Sequence, residues 1–367
     1  IGGLIFSKGS PSISNRWINA LQKKSKLPLL TGMDAEWGLA MRLDSTFAYP
    51  WNMTLGAIKD DRIVEQVGQR IGEHCKRLGV HFNFAPVVDI NTNPNNPIIG
   101  NRSFGESREF VTQKSLAFMK GMQSTGVLAN AKHFPGHGDT DSDSHKTLPT
   151  LHFDKKRLDS IELYPYKYLV QEGLSSVMVA HLNIPSIISE MGYPSSISKD
   201  VVGGLLKGEL GFNGLIFTDA LNMKGAANFK EPGEIDLAAF LAGNDVLLIS
   251  EDVPKAHQLL VNAFREGIIT EGRLAYSVKK ILQAKYKAGL NNYQPVVIEN
   301  IVNDLNAAED KVLYETAMEK ALTVIKNDSA VLPIQNLQNT KIAYVNFGDD
   351  SGTPFLETLN KIFMFCI

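Results

Sequence analysis

The stretch Lys132 to Pro149, KHFPGHGDTDSDSHKTLP, gathers three of the chain's eight histidines and three Asp residues, with hardly an apolar side chain after Phe134. Such content suits a surface loop that presents acids, bases and charge rather than a packed core element. Asp143 and His145 lie two residues apart in it, close enough for the carboxylate to hold the imidazole in one tautomer. That dyad is a candidate general acid/base near neutral pH, and a solvated loop with a chance histidine is the plainer alternative. Asp219, in GFNGLIFTDAL, stands where an apolar run ends. That place suits an ionised nucleophile or base, and equally a helix cap. Lys132, His133 and Arg102 (in NRSFG) are candidate donors to hydroxyls or a carbonyl, Asp34 a candidate acceptor, and Arg42 a candidate clamp for an anion. Any one of them alone is more often a structural ion pair, so their shared placement after strands carries the weight.

Metal binding is disfavoured by spacing. Asp139, Asp141 and Asp143 form a DxDxD run, but Ser144 and Thr150 stand where a calcium loop of the EF-hand type needs Gly and Glu. His133, His137 and His145 lack the helical ligand spacing of a zinc site. Neither a metal nor another cofactor is expected.

The elements that must hold these residues alternate along the chain. Strand segments are expected at Gly3 to Ser7, Leu27 to Asp34, His81 to Ile90, Val127 to Phe134, Ser176 to Leu182, Gly214 to Ala220 and Asp245 to Ser250. Helices are expected at Asp60 to Leu78, Glu106 to Ser124, Asp154 to Glu172, Lys199 to Leu210, Gly233 to Ala242, Val253 to Glu266 and Thr270 to Ala288. Continuously apolar strands fit a parallel sheet covered by helices. Polar residues recur at or just past the strand ends: Asp34 and Glu36, Asp89 and Asn91, Lys132 and His133, His181 and Asn183, Asp219 and Asn222, Ser250. An open sheet concentrates its ligands at one switch point, whereas a barrel draws them from many strands. The expected fold is therefore α/β, a (β/α)8 TIM-type barrel over residues 1–290. The chain starts within a strand, so the first barrel strand is expected to precede Ile1. A linker is expected over 291–300, and a partial second α/β domain over 301–367, with a polar helix at Val302 to Ile325, a turn at Lys326 to Ser329 and a strand at Lys341 to Asn346.

Composition narrows the class further. With 367 residues, 44% of them hydrophobic, the chain can bury one large core and a smaller unit. A formal net charge of −2 gives no electrostatic reason to bind nucleic acid. No apolar run is long enough to span a bilayer. Cys75 and Cys366 are far apart and form no metal-type spacing. No targeting segment is legible, so the compartment stays open.

In the same order along the chain, TGMDAEWGLAMRLDS, APVVDIN, NRSFG, KHFPGHGDTDSDSHKTLP and GFNGLIFTDAL resemble the motifs of glycoside hydrolase family 3, and within it of the β-N-acetylglucosaminidases. The resemblance spans nearly all of residues 1–290. It implies a (β/α)8 barrel and a retaining, metal-free double displacement on a β-linked N-acetylglucosamine. Carried onto this chain, it implies that Asp219 is the nucleophile and that His145, oriented by Asp143, is the acid/base. Asp34, Arg42, Arg102, Lys132 and His133 would bind the sugar, a small carbohydrate such as a peptidoglycan fragment, with Arg42 placed to meet a muramyl carboxylate. ALTVIKNDSAVLPI resembles the start of the second, α/β sandwich domain of the family. One departure stands out: many members read DQEGG where this chain has DAEWG at Asp34 to Gly38, so Trp37 and Leu39 are expected to reshape the aglycone side. The alternatives are a β-glucosidase, a phosphorylase of the same family, or a sugar-binding protein without catalysis.

Overall fold

The structure is a computed structural model and describes residues 2–144, 146–190, 192–336, 339–345 and 353–363. Six strands, β1 (Gly3–Ile5), β2 (Leu30–Met33), β3 (Phe82–Asn83), β4 (Leu128–Phe134), β5 (Ser176–Val179) and β6 (Leu215–Thr218), form one parallel sheet in chain order. Parallel neighbours need a crossover, and helical chain provides it: Pro11–Lys24, Asp61–Leu78, Arg108–Ser124, Lys155–Ser160 with Tyr164–Gln171, and Asp200–Glu209. The helix Asp61–Leu78 starts on the side chain of Asp60, which accepts from Arg62 N, and ends at the left-handed Gly79. It packs so closely on Arg108–Ser124 that a Cβ on Gly121 would sit 1.9 Å from the Glu65 carbonyl oxygen.

Side chains alternate between two apolar layers, because strand residues point to opposite faces. Val177, Val179 and Ile216 pack outward with Val64, Ile71 and Phe118 of the helices. Leu30, Phe82, Leu128, Met178, Leu215 and Phe217 fill an inner cluster. A flat sheet would hold β3 and β6 about 14 Å apart. Yet the rings of Phe82 and Phe217 meet edge to face at 5.1 Å, so the sheet is curled around this inner core.

In the sheet and the loop after β4, three expectations need correction. The strand expected over Asp245 to Ser250 is reduced to one bridge, Val246 to Phe217. Backbone bonds from Val246 N to Ile216 O at 3.0 Å and from Thr218 N to Val246 O at 3.1 Å make that bridge, and side chains flank it: the Asp245 carboxylate accepts from Ile216 N at 3.0 Å, and the Thr218 hydroxyl accepts from Leu248 N at 3.0 Å. The strand expected from His81 to Ile90 is only two residues long. Asn83 satisfies the Ala35 backbone with its own amide, at 2.9 and 3.0 Å, and Pro86 brings no N–H. Finally, the segment from Phe134 to Gly138 is buried rather than a surface loop.

By contact the chain divides into two units, Ile1–Leu322 and Thr323–Ile367. The first reaches past residue 290 and takes in the helices Ile301–Asp304 and Ala308–Ala321, which break the single helix expected from Val302 to Ile325. The reason is a buried anchor: Asp310 accepts from Tyr49 Oη at 2.5 Å and from Arg70 Nε at 2.9 Å. In the second unit Ala330 N donates to Asn327 O at 3.0 Å, closing a turn near the expected position. A helix covers Thr353–Phe363. Residues 341–345 form no strand, and Asn346 lies outside the described residues.

Candidate active site

The sequence brings its polar residues to one end of the curled sheet. Asp34 and Glu36 follow β2, Asp89 follows β3, Lys132 and His133 belong to β4, and Asp219 follows β6. Arg102 reaches in from the turn Gly100–Arg102. Lys132 Nζ sits between two carboxylates, 2.7 Å from Asp34 Oδ1 and 2.8 Å from Glu36 Oε1. Arg102 grips Glu36 through two N–H groups, Nε to Oε2 at 3.0 Å and Nη2 to Oε1 at 2.7 Å, the bidentate geometry that favours Arg over Lys. Arg42 Nη2 donates to the other oxygen of Asp34 at 2.6 Å and keeps about a third of its side chain exposed (32%).

Asp89 organises the neighbouring half. Fully buried, it takes the ring Nδ1 of His133 at 2.7 Å and the backbone N–H of His137 at 2.6 Å. His133 Nε2 points back to Arg102 Nη2 at 3.4 Å. The His137 ring lies between the hydroxyls of Thr140, 2.6 Å from Nδ1, and Ser144, 3.2 Å from Nε2. Asn96 supports the loop by donating to His137 O at 2.8 Å. Buried polar groups persist when they are paired in this way, which is why this half of the loop leaves the surface.

Electrostatics follow from the pairing. Burial opposes ionisation of Glu36, but Lys132 and Arg102 outweigh it and hold the carboxyl far below its usual range. Asp34 is lowered in the same sense, burial being overcome by Lys132 and Arg42, and Asp89 likewise by His133 and His137. Burial, reinforced by His133, pushes the His137 imidazole down to about 4. Asp219 is among the charges felt by His137, which ties it to this face. Its backbone N donates to Val179 O at 2.9 Å, and its Oδ1 accepts from Ala220 N at 2.8 Å.

The segment after Asp219 also carries the polar loop. Gly225 N donates to Ser144 O at 3.1 Å, and a Cβ on Gly225 would stand 2.9 Å from Thr147 O. The carbonyl of Asp143 accepts from Lys146 N and Thr147 N, both at 2.9 Å. His145 lies outside the described residues. Of the residues singled out in the sequence, Asp34, Arg42, Arg102, Lys132 and His133 therefore form one hydrogen-bonded group, with Asp219 on the same face. Glu36, Asp89 and His181 were visible only as polar residues at strand ends, and His137 only as a weak metal candidate. His181 proves to be a brace, with Nδ1 2.7 Å from Ser196 Oγ and Nε2 3.0 Å from Ala220 O, next to Asp219.

A curled parallel sheet with carboxylates and cations interlocked at its strand ends presents a site rich in both hydrogen-bond donors and acceptors, the class of site suited to polyhydroxylated ligands. Residues 6–284 match the glycosyl hydrolase family 3 N terminal domain, and the chain belongs to that family. It is 31% identical over 362 residues to beta-hexosaminidase A of Pseudoalteromonas piscicida, covering 92% of this chain and 60% of the relative. It is 26% identical to a beta-N-acetylglucosaminidase/beta-glucosidase of Cellulomonas fimi, covering 96% of this chain and 64% of that protein. The chain thus spans less than two thirds of the length of these relatives. A solved family 3 beta-N-acetylglucosaminidase from Paenibacillus sp. str. FPU-7 superposes with a TM-score of 0.82 at 36% identity, over 88% of this chain and 63% of that one. A solved beta-glucoside phosphorylase, at 24% identity and a TM-score of 0.86, covering 98% of this chain and 68% of that one, shares the fold.

Proposed function

We propose that residues 1–290 are the catalytic (β/α)8 TIM-type barrel of a retaining, exo-acting glycoside hydrolase that releases terminal β-linked N-acetylglucosamine. The observation that supports this most is the convergence of Asp34, Glu36, Arg102, Lys132, Asp89 and His133 on the face that holds Asp219. Asp34 accepts from sugar hydroxyls while Arg102, Lys132 and His133 donate. Asp219 attacks the anomeric carbon, and the bond to the leaving oxygen breaks as the glycosyl-enzyme forms. His145, oriented by Asp143, gives its proton to the leaving oxygen and then takes one from the water that frees the sugar. No step uses a cofactor. Arg42, partly exposed beside Asp34, meets a carboxylate on the leaving group, which suits a muramyl-containing peptidoglycan fragment. The helices Ile301–Asp304 and Ala308–Ala321 belong with the first unit, and the chain past Leu322 leads into a second α/β domain. Hydrolysis of p-nitrophenyl β-N-acetylglucosaminide beside the matching β-glucoside tests this reading. Release from the first alone, falling about 10³-fold or more in Asp219→Ala, is expected. Release from neither would overturn it.

A further inference from the structure

We propose that Arg157 is a positioning residue that latches the loop bearing Asp143 and His145 to the helical crossover between β4 and β5. The proposal rests on the glycosidase reading, in which that loop supplies the acid/base. Arg157 lies in the helix Lys155–Ser160, whose N-cap Asp154 accepts from Arg157 N at 2.7 Å. Its guanidinium lies over the Phe153 ring, 4.8 Å from the centroid. From there Nη2 reaches three oxygens: Glu162 Oε1 at 3.2 Å, Asp139 Oδ2 at 3.3 Å and Thr92 Oγ1 at 3.5 Å. Asp139 belongs to the polar loop and precedes Asp143 in it.

Glu162 ties the latch to the root of the same loop. With 5% of its side chain exposed, it fills the space beside Gly136, at φ +149°, where a Cβ would come within 2.7 Å of the Glu162 Cβ. Glu162 thus packs against the start of the loop while its partner Arg157 grips the loop further on, at Asp139. The backbone of His137 and Thr140 is fixed separately, by Asp89, Asn93 and Asn96. The pairing also departs from an ordinary ion pair. Arg157 Nε and Glu162 Oε2 are both buried without a partner among the described residues, so the two do not close into the two-pronged bond that arginine and carboxylate favour. Leaving buried polar atoms unpaired is costly, and what the fold gains in return is a guanidinium shared with the loop. A general acid must stand within hydrogen-bond reach of the leaving oxygen, and a displacement of about 1 Å spoils such an arrangement. A cation held between the crossover and Asp139 limits that displacement.

The test compares kcat/KM on methyl β-N-acetylglucosaminide, whose oxygen leaves only when protonated, with that on p-nitrophenyl β-N-acetylglucosaminide, whose phenolate departs with little help. In Arg157→Met the ratio of the first to the second is expected to fall about thirtyfold, part of the roughly 10²–10⁴-fold that a placed acid contributes, and to recover largely in Arg157→Lys. Asp139→Ala removes the loop's side of the latch at a position 24% exposed and is expected to lower the same ratio, which decides the matter if Arg157→Met fails to fold. A ratio unchanged in Asp139→Ala, or a loss equal on both substrates in either variant, overturns the latch. Wild-type protein inert on both substrates would instead overturn the glycosidase reading, and a ratio untouched in His145→Ala would overturn the acid/base on which the latch acts.

Discussion

Glu36 carries the largest electrostatic load in the site for a residue that touches no solvent. It accepts from Arg102 twice and from Lys132 once, so Glu36→Gln takes the carboxylate from Arg102 and leaves Lys132 with Asp34 alone. The expected cost is about 3–5 kcal/mol of folding stability, measured by urea unfolding at pH 7. Because the folded carboxyl is held below its usual range, its contribution is fully present above about pH 4.3, the unfolded value, and is lost as the pH falls further. The gap between wild type and variant therefore closes in acid, and a gap constant down to pH 3 would contradict the pairing. Lys132, His133, Asp34 and Arg102 were legible in the sequence because they stand at strand ends in a chain with clear alternation. Glu36 and Asp89 stood there too, but their partners lie 66 and 44 residues away, and no local pattern reveals which distant cation a carboxylate will meet. His145 and its relation to Asp143 rest on the sequence alone.

At the scale of elements, long amphipathic helices were read well and everything governed by a side chain acting on backbone was not. Asn83 cut β3 short, and Thr218 and Asp245 took up backbone N–H groups beside a seventh pairing that is confined to one bridge at Val246. The helix Ala308–Ala321 was assigned away from the barrel because composition changes near residue 290, whereas one buried residue, Asp310, ties it to Tyr49 and Arg70. Burial opposes ionisation of that carboxyl, but His74, Tyr49 and Arg70 hold it well below its usual range. Asp310→Asn is expected to speed hydrogen exchange of the amides of Ala308–Ala321 at pH 7, with smaller effects on β4 and β5, since local opening follows loss of buried contacts. Uniform acceleration across the first unit, or none, would show that the anchor does not act on this helix.

For the whole molecule, pH acts mainly through histidine. Burial pushes His81 down to about 4, and Thr31 N donates to its Nδ1 at 3.1 Å, which leaves that nitrogen no room for a proton. His137 is likewise near 4. Both stay neutral in the fold while the unfolded chain takes up protons below about pH 6.5, so each contributes stability that is lost as pH falls from there toward 4. Glu162 works the other way: burial, resisted by Arg157, pushes it up to about 7, so it favours the fold as pH falls over the same range. Two groups against one predict a thermal midpoint that drops between pH 6.5 and pH 4.5, more steeply in Glu162→Gln, which should also melt higher than wild type at pH 8. A flat midpoint in wild type would refute this balance.

The interlocked clamp has a further consequence. Asp34 and Glu36 pair with Arg42, Arg102 and Lys132, and Asp89 lies beside them on His133, so three carboxylates stand with three fixed positive charges. Seen from a Debye length away in physiological salt, about 8 Å, their fields largely cancel. An uncharged sugar arrives without being drawn in and without paying to shed a halo of counter-ions, so capture by this clamp is governed by fit at close range and should be almost indifferent to ionic strength.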